Sequence, residues 1–141
     1  MRILEMNEID SQIVQLLKEN ARMTNVDIGK AVGLSEGAVR NRIQYLIDSG
    51  IIKRFTVDIV PDLEFRAIIM VSVNPSVPTS KISIGIRKLI GTERIYEVTG
   101  EHDIVAIVSS QNIEGVNHTI EDIRSIEGVT GTNTMIVLRT V

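Results

Sequence analysis

The sequence predicts an α+β fold in which three short helices precede an antiparallel sheet that carries two further helices. Up to position 50, apolar residues recur at the spacing of amphipathic helices. From position 51 onward, runs rich in Val, Ile and Thr alternate with helical stretches. With 43% hydrophobic and 23% charged residues among 141, the chain should fold. Its core must consist of Ile, Val, Leu and Met, because aromatic residues reach only 3%.

Three amphipathic helices account for the first 50 residues. Gly33 is placed to make a tight turn between the second helix and the third. Ser35 is placed to cap the third helix, with Leu34 packing against Val39. The apolar stripes of the three helices are Ile9, Ile13, Leu16 and Leu17; Val26, Ile28, Ala31 and Val32; and Val39, Ile43, Leu46 and Ile47.

The rest of the chain predicts a connecting strand over 51–60 and then the order strand, helix, strand, strand, helix, strand. These strands cover 67–73, 95–99, 104–109 and 132–138, and the helices cover roughly 80–90 and 113–126. This order gives a ferredoxin-like sheet with both helices on one face. A second copy would most easily cover the other face, so we expect a homodimer. The predicted domains are 1–52, a basic strand and linker at 53–64, and 65–141.

The net charge of −3 argues at first against a nucleic-acid partner, but the local balance differs. Between positions 25 and 54, five basic residues stand against three acidic ones, a local charge of +2. Opposite its apolar stripe, the third helix has a polar face with small residues at its start, which suits close approach to a major groove. The amides of Asn41 and Gln44 are able to pair with adenine, and the flanking Arg40 and Arg42 are able to reach phosphates.

The candidate DNA-binding residues lie on this helix and on the basic strand after it, as in winged helix-turn-helix modules. The alternative is an ordinary amphipathic helix with a solvated polar face. The tandem helices, the turn at Gly33 and the basic strand together favour DNA. The candidates are Ser35, Glu36, Gly37, Ala38, Arg40, Asn41, Arg42, Gln44, Tyr45, Lys53 and Arg54.

A pattern of twelve residues runs through the first half of the chain: Ile9, Asp10, Gly33, Leu34, Ser35, Val39, Arg42, Ile43, Leu46, Gly50, Ile51 and Ile52. With this pattern the chain resembles the Lrp/AsnC (feast/famine) transcription regulators, and the resemblance extends over the whole chain. In the second half, VTGEHDIVAIV at 98–108 resembles the glycine loop and following Asp of the family's ligand-binding (RAM) domain. Gly128, Val129, Thr132 and Thr134 resemble its last strand. The chain departs from the family pattern at Glu64 and Phe65, where a Gly is usual, and at His102, where an aromatic is common.

The resemblance implies an amino-acid effector bound between dimers near the glycine loop, and dimers that assemble further, commonly four in a ring with DNA outside. Glu101 and Asp103 could hold an ammonium group, and exposed N–H groups could hold a carboxylate. The alternative is a hairpin turn that uses Gly and Asp for geometry, with threonines that merely pair across the sheet. Together with Glu101, the acids Glu121 and Asp122 hint at a basic or polar effector. The candidate effector residues are Thr99, Gly100, Glu101, His102, Asp103, Thr132 and Thr134.

Catalytic chemistry is poorly represented in the sequence. The chain has no Cys and two His, and it contains no P-loop and no GxGxxG motif, so we expect no enzyme activity, metal site or cofactor. Two alternatives stay open: an enzyme like the siroheme decarboxylases, which resemble the same two-part architecture, and an architectural nucleoid-type DNA-binding protein. The first residues lack the apolar stretch of a signal peptide, and no apolar run is long enough to cross a bilayer. We expect a cytoplasmic protein with no membrane partner.

Overall fold

A computed structural model describes residues 6–59 and 64–141. The chain forms two compact units that divide between Asp58 and Ile59. The N-terminal unit contains helices α1 (Glu8–Glu19), α2 (Asn25–Val32) and α3 (Glu36–Asp48). The C-terminal unit contains β1 (Phe65–Val73), α4 (Thr79–Arg87), β2 (Thr92–Glu97), β3 (Ile104–Ser110), α5 (Ile113–Arg124) and β4 (Val129–Ile136).

Each helix of the N-terminal unit begins at a polar capping side chain. Asn7, Thr24 and Ser35 each accept the backbone N–H three positions further along, at 2.8, 3.1 and 3.2 Å. Gly33 ends α2 with a φ of +75°, the left-handed conformation that glycine adopts without strain. The three predicted helices, the glycine turn and the Ser35 cap are therefore confirmed.

The core of the N-terminal unit is small and aliphatic. Its fully buried members come from all three helices: Ile13, Ile28, Val39 and Leu46. Leu34 packs against the same cluster from the turn. The four fully buried residues belong to the three predicted apolar stripes. Three other members of those stripes are wrong as core positions, because Val26, Ala31 and Ile47 are exposed.

The connecting strand predicted over 51–60 is wrong for residues 51–59, which pair with no strand in the described part of the chain. A strand needs a neighbour to take up its N–H and C=O groups, and alternating residues alone do not supply one. Lys53 and Arg54 are exposed on this unpaired segment. Residues 60–63, which include the end of the predicted strand and part of the linker, lie outside the described residues.

The C-terminal unit is the predicted ferredoxin-like arrangement. Its four strands have the order β2-β3-β1-β4 and pair antiparallel throughout. In this register Ile69 lies opposite Ala106 on one side and Thr134 on the other. Both helices cover the same face of the sheet and enclose a core of Ala67, Ile69, Val71, Ile82, Ile86, Ile104, Ala106, Val108, Val116, Ile120 and Ile123.

The two outer strands, β2 and β4, lie earlier in the chain than the sequence predicts. Each begins three residues before its expected start, at Thr92 and Val129, and ends two residues early. Edge strands are covered on fewer sides, so they contain polar residues that hide the apolar alternation. Within the described ranges, no helix has the length and apolar composition to cross a membrane.

Candidate functional site

Helix α3 presents a polar face away from the core of the N-terminal unit. Asn41, Gln44 and Tyr45 are exposed on this face, and Gly37 is exposed at its start. Val39 and Leu46 on the opposite side are fully buried. A helix anchored in this way is accessible along its polar side, as insertion into a major groove requires.

Some of the polar groups predicted to contact DNA are engaged within the helix. Arg40 pairs with Glu36, and Gln44 Nε2 donates to Asp48 Oδ1 at 2.8 Å. Both are surface contacts between neighbouring turns, which contribute little energy and exchange readily. Among the hydrogen bonds of residues 6–59, none involves the side chain of Asn41 or Tyr45. These two side chains are therefore accessible without breaking an existing bond.

The guanidinium of Arg42, which was predicted to contact a phosphate, is bound to a carboxylate of another helix. Its Nη1 donates to Asp10 Oδ1 at 2.8 Å, a contact that joins α3 to α1 across 32 positions of the chain. The Asp10 side chain is only 6% exposed and that of Arg42 is 34% exposed. The guanidinium therefore holds the two helices together, and only its outer part remains accessible to a ligand.

A shallow groove of about 500 Å³ runs between the start of α1 and α3. The contributions of Asn7 and Asp10 were not predicted from the sequence, because both residues lie at the start of α1, about 30 positions before the predicted face of α3. The sequence shows an acid near the start of α1 and an arginine on α3, but their pairing is visible only in the fold. The groove is lined by Asn7, Asp10, Ala38, Asn41, Arg42 and Tyr45.

The other predicted DNA-binding residues lie near the two ends of α3. The Ser35 hydroxyl oxygen caps α3 by accepting the N–H of Ala38, and Glu36 forms an ion pair with Arg40. Lys53 and Arg54 follow the helix on the unpaired segment. The structure therefore brings Ala38, Asn41, Arg42 and Tyr45 together in the groove and leaves Lys53 and Arg54 outside its lining.

In the C-terminal unit, the residues Thr99–Asp103 form the predicted hairpin loop between β2 and β3. The N–H of Val98 donates to the Asp103 carbonyl at 2.9 Å. Asp103 Oδ2 accepts the N–H of Val73 at 2.9 Å, and Ser72 Oγ lies 3.1 Å from His102 Nδ1. Asp103 and His102 therefore fasten the loop to β1, which supports a geometric role for Asp103.

The tip of this loop is open to solvent. Thr99, Gly100 and Glu101 are exposed, and no heavy atom lies within 4 Å of the position that a Cβ on Gly100 would occupy. The φ of Gly100 is +123°, a conformation that side chains disfavour. The loop thus combines a backbone that requires glycine with free space around it.

Thr132 and Thr134 share the helix-covered face of β4, opposite Val71 and Ile69. Thr132 Oγ1 accepts from Arg124 Nε at 2.9 Å, beside a depression of about 300 Å³. Because β1 lies between β3 and β4, about 10 Å separates Thr132 from the start of β3. One chain therefore does not bring these threonines and the loop into a single pocket.

The acids predicted to favour a basic effector already have partners on α5. Glu121 Oε1 lies 2.8 Å from Arg124 Nη1, and Asp122 Oδ2 lies 3.6 Å from His118 Nε2. All four side chains are substantially exposed, so these pairs contribute little stability and are open to exchange. Glu101 on the loop is exposed as well.

A capped helix-turn-helix with an exposed polar third helix, followed in the chain by a ferredoxin-like unit, is typical of a two-domain DNA-binding protein. Family comparison agrees for both parts. Residues 6–47 match the AsnC-type helix-turn-helix domain, and residues 66–141 match the Lrp/AsnC ligand binding domain. The chain belongs to the Lrp/AsnC family of transcriptional regulators, so the resemblance found in the sequence is confirmed.

Similar proteins are regulators by name. The chain is 48% identical over 135 residues to the HTH-type transcriptional regulator LysM of Sulfurisphaera tokodaii, with 96% of both chains covered. It is 49% identical over 134 residues to LysM of Saccharolobus solfataricus, with 95% of this chain and 94% of that one covered. A transcriptional regulator of Neisseria meningitidis, solved in complex with L-Met, has a TM-score of 0.75 at 26% identity, covering 97% of this chain and 92% of that one.

Proposed function

We propose that the protein regulates transcription by binding specific DNA sequences as a homodimer and by responding to an amino acid. The exposed polar face of α3 carries this proposal, because its core-facing side is fully buried while Asn41 and Tyr45 stay accessible. A dimer presents two such helices, so we expect a roughly palindromic operator with half-sites about one helical turn, or a multiple of it, apart.

Base reading is assigned to Asn41. Its amide offers a donor and an acceptor that match the major-groove edge of adenine. An operator is first selected from a pool of random duplexes, and affinities for it and for a scrambled duplex are then compared. Asn41→Ala should reduce the discrimination between the two duplexes by roughly 1–3 kcal/mol.

Asn117→Ala is the matched control, because Asn117 is an exposed asparagine on a helix of the other unit. It should leave both affinities unchanged. An equal loss of affinity of the Asn41 variant for operator and scrambled DNA would refute base reading. Selection that yields no preferred sequence, with binding that falls steeply with salt, would instead indicate an architectural protein.

The dimer is supported by surfaces that one chain leaves incomplete. On the sheet face opposite α4 and α5, Ile68, Met70, Val105 and Ile107 are only half-buried, and neither helix of the described part of the C-terminal unit covers them. Phe55, Val57 and Ile59 alternate along the unpaired segment and are 52%, 80% and 52% exposed. A second copy is able to cover the sheet and to pair with the segment.

The effector is proposed to be an amino acid held between dimers. The loop tip supplies Glu101 and free backbone groups, while Thr132 and Thr134 lie beyond β1, so two copies are needed to bring both sets together. The related regulator from Neisseria meningitidis was solved with L-Met, which supports an amino-acid class of ligand. Calorimetric titration with lysine, arginine, glutamine and leucine tests the expected basic or polar side chain. Heat from leucine alone would contradict it.

A substitution of Gly100 tests whether the loop binds the effector. Gly100→Val should remove the heat of effector binding while DNA binding and dimerisation persist, since a side chain there meets open space and alters only the loop. Gly50→Val is the matched control, because Gly50 also has a positive φ, +75°, with nothing within 4 Å of a Cβ. An unchanged titration of the Gly100 variant would remove the loop from the site.

A further inference from the structure

We propose that Asn7 and Arg42 form a seat for one phosphate of the DNA backbone, in the groove between α1 and α3. This inference rests on the proposed DNA-binding function and adds to it a contact from the first helix. The seat lies on one flank of the polar face, so it would fix the position of α3 on the duplex without reading bases.

The groove is a continuous surface within the N-terminal unit. Ala38, Asn41, Arg42 and Tyr45 recur at the spacing of one helical stripe, so they line one side of α3. Asn7 and Asp10 line the opposite wall. The small side chain of Ala38 occupies little of the groove, which leaves room for a group that protrudes from a duplex.

Arg42 supplies the charge of the seat. Its Nη1 is held by Asp10 at 2.8 Å, which orients the planar guanidinium. An arginine has five N–H donors in a fixed fork, so Nη2 and Nε are able to donate to a second anion. The side chain is 34% exposed, which is consistent with an inner edge bound to Asp10 and an outer edge open to the groove.

Asn7 supplies a neutral donor on the other wall. Its Oδ1 accepts the N–H of Asp10 at 2.8 Å, so the oxygen of the amide is turned toward the helix. The amide nitrogen is not used by that bond, and Asn7 lines the same groove as Arg42. The phenol of Tyr45, which is 57% exposed, adds a further donor along the same groove. Donors from three side chains match the acceptor-only oxygens of a phosphate.

The test replaces Asn7 with residues that preserve the cap. Asn7→Asp keeps the acceptor oxygen and the shape but exchanges the amide donor for negative charge. Asn7→Ser keeps a capping acceptor but replaces the amide N–H₂ with a hydroxyl on a shorter side chain, which reaches less far into the groove. Asn112→Asp is the matched control, because Asn112 Oδ1 accepts the N–H of Gly115 at the same 2.8 Å at the start of α5. Binding of the full chain to a fluorescent duplex of mixed sequence is followed by anisotropy over a KCl series.

Asn7→Asp should weaken binding roughly tenfold and lower the salt slope by about 1. Asn7→Ser should weaken binding a few-fold, and Asn112→Asp should match the wild-type protein. Thermal unfolding should be unchanged in all three, because each residue retains its cap. Equal binding by the two Asp variants, or an Asn7→Ser variant that binds like wild type, would overturn the seat while DNA binding stands. A wild-type protein that ignores duplex DNA would overturn both proposals together.

Discussion

Asp10 is the only charged residue that is fully buried in the described part of the chain, at 4% exposure. A buried carboxylate is stable only when it is paired and hydrogen-bonded, and Arg42 meets this need from another helix. A single ion pair thus fixes the position of α3 against α1. Arg42, which the sequence predicts to contact phosphate, therefore also stabilises the N-terminal unit.

Arg42→Ala should lower the free energy of unfolding of the N-terminal unit by roughly 2 kcal/mol, because it leaves the Asp10 carboxylate buried without a partner. Arg40→Ala is the control. It breaks a pair whose side chains are 64% and 51% exposed, and it should cost less than about 0.5 kcal/mol. Urea unfolding followed by circular dichroism measures both. Equal losses for the two variants would show that the Asp10 pair does not stabilise the unit.

Among the elements, the connection from α2 to α3 depends on close approach of the backbone. The carbonyl of Gly29 accepts the N–H groups of Gly33 and Leu34 at 2.8 and 2.9 Å. A Cβ on Gly29 would lie 2.4 Å from the carbonyl oxygen of Leu34, and a backbone atom cannot move aside as a flexible side chain can. The angle between the two helices therefore requires glycine at this position.

Gly29→Ala should destabilise the N-terminal unit by roughly 2–3 kcal/mol, because the turn must shift to admit the methyl group. Gly37→Ala is the matched control on α3, where nothing lies within 4 Å of the added Cβ. There the gain in helix propensity should stabilise the unit by about 0.5 kcal/mol. The same urea titration measures both variants. A Gly29 variant as stable as wild type would show that the turn adapts freely.

Local features were predictable from the sequence, and contacts between distant segments were not. Helical period, the Ser35 cap and the turn at Gly33 depend on neighbouring residues, so the three helices were found correctly. The strand over 51–59 was wrong, because strand formation depends on a partner that residue alternation does not reveal. The pairing of Asp10 with Arg42 and the contribution of Asn7 to the groove depend on packing between helices. The spacing of residues along a single helix contains no information on such contacts between helices.

For the whole molecule, the sheet face opposite α4 and α5 is the feature from which we predict assembly. Met70 lies near the middle of this face, opposite Val105 on β3 and Asn133 on β4. Its neighbours on the same face are Ile68 and Ile107, which are half-buried. An apolar surface of this kind is the type that homodimers bury. We expect dimers, and four dimers in a ring as the larger assembly.

Met70→Arg should therefore reduce the mass in solution to that of one chain, 15.6 kDa, because a charge would be buried in the interface. Ile84→Arg is the matched control, since Ile84 is 57% exposed on α4 and away from this face. It should keep the wild-type mass. Size-exclusion chromatography with light scattering gives both values. A Met70 variant with the wild-type mass would place the interface elsewhere.

The two hydrophobic clusters of the described residues have no side chain in common. Substitutions that reshape one cluster consequently leave the packing of the other as it was. After gene duplication, we expect that the ligand-binding domain of one copy can accumulate core substitutions without changing the core of its helix-turn-helix domain, and that the converse holds as well. The two domains are thus able to diverge independently of each other.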